Sequence, residues 1–458
     1  DTIRPVDHDL VDLAFNKKKA DDRKEWLRQF VPGTYLDHRI RNIPISDFIN
    51  KELILFSMAD NIRSIPSVVD GLKPGQRKVL FGCFKRNLKT EIKVQQLQGY
   101  VSEHTAYHHG DQSLVMTIVG LAQDYCGSNN VNLLLPNGQF GTRSMGGKDA
   151  ASARYIFTAV PRITRLMFHP KDDDLLNYLD DDGQSIEPEW YVPVVPHVLL
   201  NGAEGIGTGW STFVPNYNPR DVVENLRRRM AGEEYVPMTP WYRGFVGTIE
   251  HSAADRFCVL GNATQLDERT WEITELPVRV WTSSYKEWLE ERVVGSDKTP
   301  STLREYKEYH TDTTVHFVVE LNSRGEEEIA RVGPEAFFKL STVISTGNMV
   351  LFNPEGKIKK YASPLEILDD FYFLRLGFYQ RRKEHLVDQL KLVYDRLSNQ
   401  ARFVSMIISK ELSVSNRKKA DIMDELRQLN FQAFPKVEAK TKSAPDEAAE
   451  DQDHVNDP

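Results

Sequence analysis

The chain has 458 residues, 40% apolar and 27% charged, with a formal net charge of −8. It is too long for one core, so about two to four folded units are expected. No apolar run nears the roughly 20 residues that cross a bilayer, no leader pattern opens the chain, and Cys83, Cys126 and Cys258 lack disulfide or zinc spacing. No membrane partner is expected, and the cysteines read as small core residues. The absent initiator Met and an opening that looks internal to a domain suggest a fragment.

The negative total hides its distribution. Six acids and no Lys or Arg lie between Ser443 and Pro458, and without that tail the deficit falls from −8 to −2. Between Arg63 and His109, the bases Arg63, Lys73, Arg77, Lys78, Lys85, Arg86, Lys89 and Lys93 meet only Asp70, Glu91 and Glu103, a local +5. A local patch sets phosphate binding, so a polyanionic partner is not excluded.

In chain order, residues 1–45 are polar, with Lys17, Lys18 and Lys19 on a solvated helix face and Arg23 and Lys24 beside Trp26. Phe48 to Ala59 is apolar enough for a buried helix. Pro66, Gly71, Pro74 and Gly75 make 64–74 a loop. Val79, Leu80, Cys83, Phe84 and Leu88 recur at helical spacing among lysines, which predicts a basic amphipathic helix. Tyr107-His108-His109-Gly110 leads into a helix from about Gln112, with Leu114, Ile118 and Leu121 buried and Asp111 as N-cap. Free N–H groups at such a helix start suit phosphate, and Ser113 adds a hydroxyl. The histidines have no further ligand at metal spacing, so holding a phosphate or relaying a proton suits them better. Two helices and a following loop fit a winged-helix arrangement.

Residues 142–158 carry the sharpest chemistry. Gly141, Gly146 and Gly147 with Arg143, Lys148 and Arg154 read as a mobile, basic loop ending in Arg154-Tyr155. A tyrosine there can attack a phosphodiester while the neighbouring guanidinium neutralises charge on the non-bridging oxygens. The plainer reading makes Tyr155 a strand aromatic in Tyr-Ile-Phe-Thr. Met145–Asp149 is not a nucleotide-binding loop, because Asp149 stands where Ser or Thr would hold magnesium. The runs Asp172–Asp174 and Asp180–Asp182 read as solvated loops. Trp190–Leu200 reads as β-rich. Ile206 sits among Gly202, Gly205, Gly207 and Gly209, where an apolar side chain could wedge between base pairs. Trp271–Leu276 and Thr314–Leu321 read as strands. Leu386, Leu390, Val393, Leu397, Val404 and Ile407 mark a long amphipathic helix that needs a partner. Lys440–Pro458 should be disordered.

Several motifs, in order and spacing, resemble one family. They are 62–80 (Ile-Arg-Ser-Ile-Pro-Ser-Val-Val-Asp-Gly-Leu-Lys-Pro-Gly-Gln-Arg-Lys-Val-Leu), 106–114 (Ala-Tyr-His-His-Gly-Asp-Gln-Ser-Leu), 136–143 (Pro-Asn-Gly-Gln-Phe-Gly-Thr-Arg) and 201–211 (Asn-Gly-Ala-Glu-Gly-Ile-Gly-Thr-Gly-Trp-Ser). With 142–158, they resemble the type IIA DNA topoisomerases, the family of eukaryotic topoisomerase II and the bacterial gyrase breakage-reunion chain. The resemblance runs from about Asp9 to about Pro435, and 17–26 favours the eukaryotic form. It implies an α+β multidomain chain. A connecting segment (1–45) would precede a winged-helix DNA-cleavage domain (46–188) and an α/β tower (189–363). An incomplete coiled coil toward a dimer gate (364–435), whose returning helix is missing, and an acidic tail (436–458) would follow. It further implies a nuclear, homodimeric enzyme that cleaves double-stranded DNA through a 5′-phosphotyrosyl link, passes a second duplex and reseals the break. Tyr155 would attack, Arg154 and Arg63 would stabilise the pentavalent phosphate, and His108 and His109 would orient or relay the proton. Arg23, Lys24, Lys73, Arg77, Lys78, Tyr107, Ser113, Arg143 and Lys148 would hold DNA, and Ile206 would be the wedge. Mg2+ and ATP would be bound by domains outside this chain, leaving the chain alone inactive. The rival is a dimeric DNA-binding and bending module without chemistry, which does not require Tyr155 after Arg154. A tyrosine recombinase would need an Arg-His-Arg set that no spacing here supports.

Overall fold

The computed structural model describes residues 4–296 and 299–434 and divides into two compact units, up to Tyr379 and from Gln380. The first opens with helices Pro5–Phe15 and Ala20–Arg28, which pack with Ile45–Phe48, a π turn Ile49–Leu53 and helix Ile54–Ser64. Trp26, Leu27, Ile49 and Ile54 make a small core of their own. The helix expected over 48–59 is present within a continuous helical run over 45–64 that carries the π segment Ile49–Leu53. It is not buried all round, since Phe48 and Phe56 face solvent.

The main core follows. Helices Pro74–Lys85, Val94–Thr105 and Asp111–Ala122 turn Val79, Leu80 and Cys83, Leu97 and Val101, and Leu114, Ile118 and Leu121 onto it. The spacing of three and four residues puts each set on one face, which is why the helix pattern was readable. Gly82 lets the first two helices close up, because a Cβ there would lie 2.6 Å from Val101. Ile92–Lys93 pairs antiparallel with Phe157–Thr158, bringing the end of the tyrosine segment against the start of the second helix. Residues 189–243, expected with the tower, add Tyr191, Val198, Leu199, Leu200 and Tyr217 to this same core. The stretch read as β-rich has no strand over 190–200; it runs irregularly through its prolines into helix His197–Asn201.

A second core lies in an antiparallel sheet ordered Leu303–Glu308, Phe317–Leu321, Thr270–Glu275 and Asn262–Gln265, flanked by helices Thr282–Val294 and Ser323–Val332. The strands read at 271–276 and 314–321 are there. Thr248–Ala253, Arg256–Leu260 and Ser341–Ser345 form a separate sheet. Cys83 and Cys126 are buried, whereas Cys258 is only partly so.

Buried polar groups tie the main core together. Asp70 takes Arg77 at 2.8 and 3.1 Å and the backbone N–H groups of Leu72 and Tyr191 at 3.0 Å. Its carbonyl accepts from His197 Nδ1 at 3.0 Å, and His197 Nε2 accepts from the Asn201 amide at 3.0 Å. Both ring nitrogens are used by the neutral imidazole, and burial lowers its pKa from 6.5 to about 4. As pH falls through 6.5 the unfolded chain takes up this proton and the folded chain does not, so stability is lost on acidification. Between pH 7 and 5 this histidine should cost about 2 kcal/mol of stability. His197→Gln should lose that component in urea unfolding at the two pH values; an unchanged pH dependence would contradict it.

The run Asp172–Asp174 is not a solvated loop. It lies in the 3-10 helix Pro170–Leu175, with Asp172 buried against Arg375 at 2.7 Å and Asp173 paired with Arg165 at 2.7 Å. Asp180–Asp182 are exposed, on the hairpin Tyr178–Asp181/Gln184–Pro188.

Helix Pro364–Ile408 is 45 residues long, and its part from Gln380 belongs to the second unit. There Leu390, Val393, Leu397 and Val404 stand exposed. Beyond the end of the long helix, the ten-residue helix Lys419–Gln428 packs only near that end, where Asn399 bonds the Gln432 carbonyl at 3.1 Å and the Phe403 and Phe431 rings meet edge-on at 6.4 Å; this short helix is not the long returning partner of a coiled coil. The disorder expected for 440–458 concerns residues outside those described.

Candidate functional site

Tyr155 lies in a turn just before strand Phe157–Thr158, with its side chain 71% exposed. Its neighbour Ile156 is buried, so alternation at the strand entrance turns the tyrosine outward. It is therefore not a packed strand aromatic. Gln95 N–H donates to the Ala153 carbonyl at 3.2 Å and Val94 N–H to that of Ile156 at 3.0 Å, holding the turn on the Val94 helix. The Arg154 guanidinium lies 5.9 Å from the Tyr155 ring centre.

The glycine-rich loop before it is tied down rather than mobile. Asp149 accepts from Thr142 N at 2.9 Å and Thr142 Oγ1 at 2.7 Å, Gly147 N bonds the Thr142 carbonyl at 2.9 Å, and Ala151 N that of Gln139 at 2.9 Å. Lys148 remains exposed on it.

A groove of about 670 Å³ gathers Arg63, Lys73, Lys78, Tyr107, His109 and Ser113. Tyr107 donates to Ser113 Oγ at 3.1 Å and meets the His109 ring edge-on at 5.5 Å. Arg63 is exposed and only loosely paired with Asp60 at 3.4 Å. Burial lowers the pKa of Lys73, with Glu204 acting against it. His108 is not among the groove residues; its Nε2 lies 3.9 Å from Asp181. Asp111 is the first helical residue, not the cap. The cap is Gly110, at φ +87°, and Asp111 accepts from Gln98 at 2.9 Å. Gly110 has no side chain to satisfy the first N–H groups, so the helix start beside Ser113 keeps the open donors that favour an anion. Among the described residues, no hydrogen bond, ion pair or ring contact joins Tyr155 or Arg154 to Arg63, His108 or His109.

Several residues expected at phosphates are instead committed internally. Arg77 is locked on Asp70. Arg143 is 4% exposed and bonds Glu275 at 2.6 Å. Lys78 pairs with Glu187 at 2.9 Å and donates to the Thr105 carbonyl. Arg23 donates to the Leu13 and Asn16 carbonyls at 3.0 and 2.7 Å, closing the end of the first helix. Lys24 is the exception: it is half-buried, pairs at the surface with exposed Asp21 at 2.7 Å, and its ammonium lies 4.8 Å from the Trp210 ring centre. A buried guanidinium stripped of water needs such partners, and Arg77 and Arg143, 6% and 4% exposed, present almost no surface to a phosphate.

Ile206 ends the first strand of hairpin Ala203–Ile206/Ser211–Val214 and is 80% exposed, not a core residue. Its glycines serve packing on helix Ile54–Ser64. A Cβ at Gly205 would lie 2.0 Å from the Ser64 carbonyl, and one at Gly207 2.2 Å from Asn61 Oδ1. Asn61 and Asp60 also hold Thr208, at 3.0 Å each. Asp60, Asn61, Glu275 and Trp210 went unread in the sequence; only the glycine spacing hinted at a close neighbour.

No group of three or more His, Cys, Asp or Glu side chains among the described residues could hold a metal ion. The donors present among the described residues do not fit a magnesium site. No helix among these residues is long and apolar enough to cross a membrane.

The fold is an α+β one that presents an exposed Tyr–Arg pair and a basic groove. The family model of the DNA gyrase/topoisomerase IV A-type chain matches residues 63–450, and that of the C-terminal associated domain of TOPRIM matches 2–61. The chain belongs to the DNA gyrase/topoisomerase IV A-type family. It is 55% identical to DNA topoisomerase 2 of Candida albicans over 442 residues, covering 96% of this chain and 30% of that protein. It is 53% identical to that of Saccharomyces cerevisiae over 450 residues, 98% and 31% of the two. The solved DNA-binding, cleavage and re-ligation domain of Plasmodium falciparum topoisomerase II aligns with TM-score 0.84 and 44% identity, over 93% of this chain and 58% of that one. The chain thus spans about 30% of the length of the curated relatives.

Proposed function

We propose that this chain is the DNA breakage-and-reunion core of a type II DNA topoisomerase. The observation that carries it is the exposed Tyr155, fixed beside Arg154 at the end of a tied loop. The Tyr155 oxygen attacks a backbone phosphorus. A phosphotyrosyl bond forms at the 5′ end, the bond to the 3′ oxygen breaks, and the phenolic proton leaves. Arg154 and Arg63 offset charge on the pentavalent phosphate, and His108 and His109 orient or relay the proton. The groove and the tyrosine share no direct contact, so the DNA strand itself joins them. Reversal reseals the strand without another energy source, because the link conserves the bond.

Two copies act on the two strands, so the working form is a homodimer on double-stranded DNA. In this reading the helices of 74–122 with the Ile92/Phe157 strand pair are the winged helix, and the module over 248–345 belongs to the tower. The helix from Pro364 leads to a dimer gate, Ile206 is the wedge, and Lys73, Tyr107, Ser113 and Lys148 hold the backbone. Strand passage, magnesium and ATP belong to a protein of the relatives' length, working in the nucleus, and the chain alone is inactive.

Denaturing electrophoresis of trapped adducts on strand-labelled duplex tests this, using a protein of that length. Protein on 5′ ends alone is expected; 3′ linkage would overturn it.

A further inference from the structure

The loop 140–149 is held from two sides. On one side it is fastened to the main core, where Gln123 Nε2 donates to the Phe140 carbonyl at 2.9 Å. On the other it is fastened to the module that carries the second sheet. Glu275, 1% exposed at the end of strand Thr270–Glu275, receives Arg143 Nη2 at 2.6 Å and Nη1 at 3.4 Å. Its remaining lone pairs take the N–H groups of Val246 and Leu276 at 3.1 and 2.9 Å, so the carboxylate is fully used. Further along, Ser283 N–H donates to the Ser144 carbonyl at 2.9 Å, and the two Ser hydroxyls meet at 3.0 Å. Gly146, at φ +60°, lies against the Trp281 indole, where a Cβ would come within 2.4 Å. Tyr125 braces that indole edge-on at 5.9 Å.

We propose that Arg143, Glu275 and Trp281 are positioning residues that make the location of Tyr155 follow the location of this module; the inference rests on reading Tyr155 as the nucleophile. The chain between clamp and tyrosine has little slack. Asp149 is tied to Thr142, Ala151 to Gln139 and Ala153 to Gln95, so a shift at Trp281 or Glu275 is handed on toward Tyr155. The choice of residues supports the role. Apolar packing could join two modules more cheaply than a buried ion pair, whereas a bidentate guanidinium–carboxylate pair fixes direction as well as distance. Phosphoryl attack is sensitive to that, since about an ångström of misplacement costs about a hundredfold in rate. Duplex seated on the module would thereby bring the nucleophile into line, and an unseated module would leave it out of line.

The test uses a protein of the relatives' length carrying this chain. Trp281→Ala should lower the single-turnover cleavage rate at saturating DNA by about tenfold or more, with half-saturation moving less than about twofold. Trp281→Phe should restore most of the rate. A merely structural role would lower the active fraction and the thermal midpoint without that split. Should Trp281→Ala not fold, the pair Ser144→Cys/Ser283→Cys decides: cross-linked by oxidised glutathione, it should cleave at the rate of its reduced form, because the clamp stays shut during the reaction. Parent-rate cleavage by Trp281→Ala, or loss of cleavage on cross-linking, overturns the proposal. Adducts formed by Tyr155→Phe would instead overturn the reading beneath it.

Discussion

Tyr155→Phe should abolish covalent protein–DNA adducts while leaving DNA affinity within about twofold of the parent. The hydroxyl is the only group lost, and the side chain is 71% exposed, so the fold has nothing to lose with it. In the proposed reading affinity rests on charges elsewhere, among them Arg63, Lys73 and Lys148. The loop that carries the tyrosine is tied through Thr142, Asp149 and the backbone of Ala153 and Ile156, none of which involves the phenol oxygen. Adduct trapping and filter binding on the same preparations check the two halves. Normal adduct levels in the Phe variant would remove Tyr155 as nucleophile, and a large fall in affinity would give its hydroxyl a role in binding.

Ile206→Ala should reduce DNA bending and slow cleavage by about tenfold, with a smaller loss of affinity. Inserting an apolar side chain costs a few kcal/mol of unstacking, offset by the contacts that a bent duplex makes. Ile206 is placed for this by its surroundings. Gly205 and Gly207 press the hairpin onto Ser64 and Asn61, and Thr208 is held by Asp60 and Asn61, so the strand end is rigid while its side chain stands free. Since that side chain packs on nothing extensive, the thermal midpoint should stay near the parent value. Fluorescence transfer between duplex ends reports the bend. An unchanged bend with a sharply lower midpoint would make Ile206 a packing residue.

Legibility in the sequence followed the range of the forces involved. The helices of the main core were readable because Val79, Leu80 and Cys83, or Leu114, Ile118 and Leu121, repeat at the helical period within one element. The exposure of Tyr155 was not readable from the residues alone, because Tyr-Ile-Phe-Thr suits a packed strand as well; the family resemblance singled it out, and burial of Ile156 turns it outward. The fate of each basic residue was not readable. Arg143 finds Glu275 132 positions away and Lys78 finds Glu187 109 positions away, so nothing local distinguishes a buried pair from a solvated base. Arg77 has Asp70 seven positions before it, with a loop between them that no periodicity describes. The acidic run at 172–174 failed for the same reason, since Asp172 is neutralised by Arg375 from 203 positions away. Proline-broken 190–200 misled by its β-prone composition, although buried Val198, Leu199 and Leu200 satisfy a short helix as well as a strand. The glycines around Ile206 were legible as a need for space, but not which neighbours fill it: helix Ile54–Ser64 lies against Gly205 and Gly207, Asn216 against Gly202 and Arg23 against Gly209.

The most direct test of the central claim is to identify the residue that carries the DNA. Adducts formed on a short duplex by a protein of the relatives' length would be digested with nuclease and protease, and the nucleotide-bearing peptide sequenced by mass spectrometry. The account predicts a single modified residue, Tyr155, with the nucleotide's 5′ phosphate on its phenol oxygen. A nucleotide on any other tyrosine, or on a serine, would contradict it.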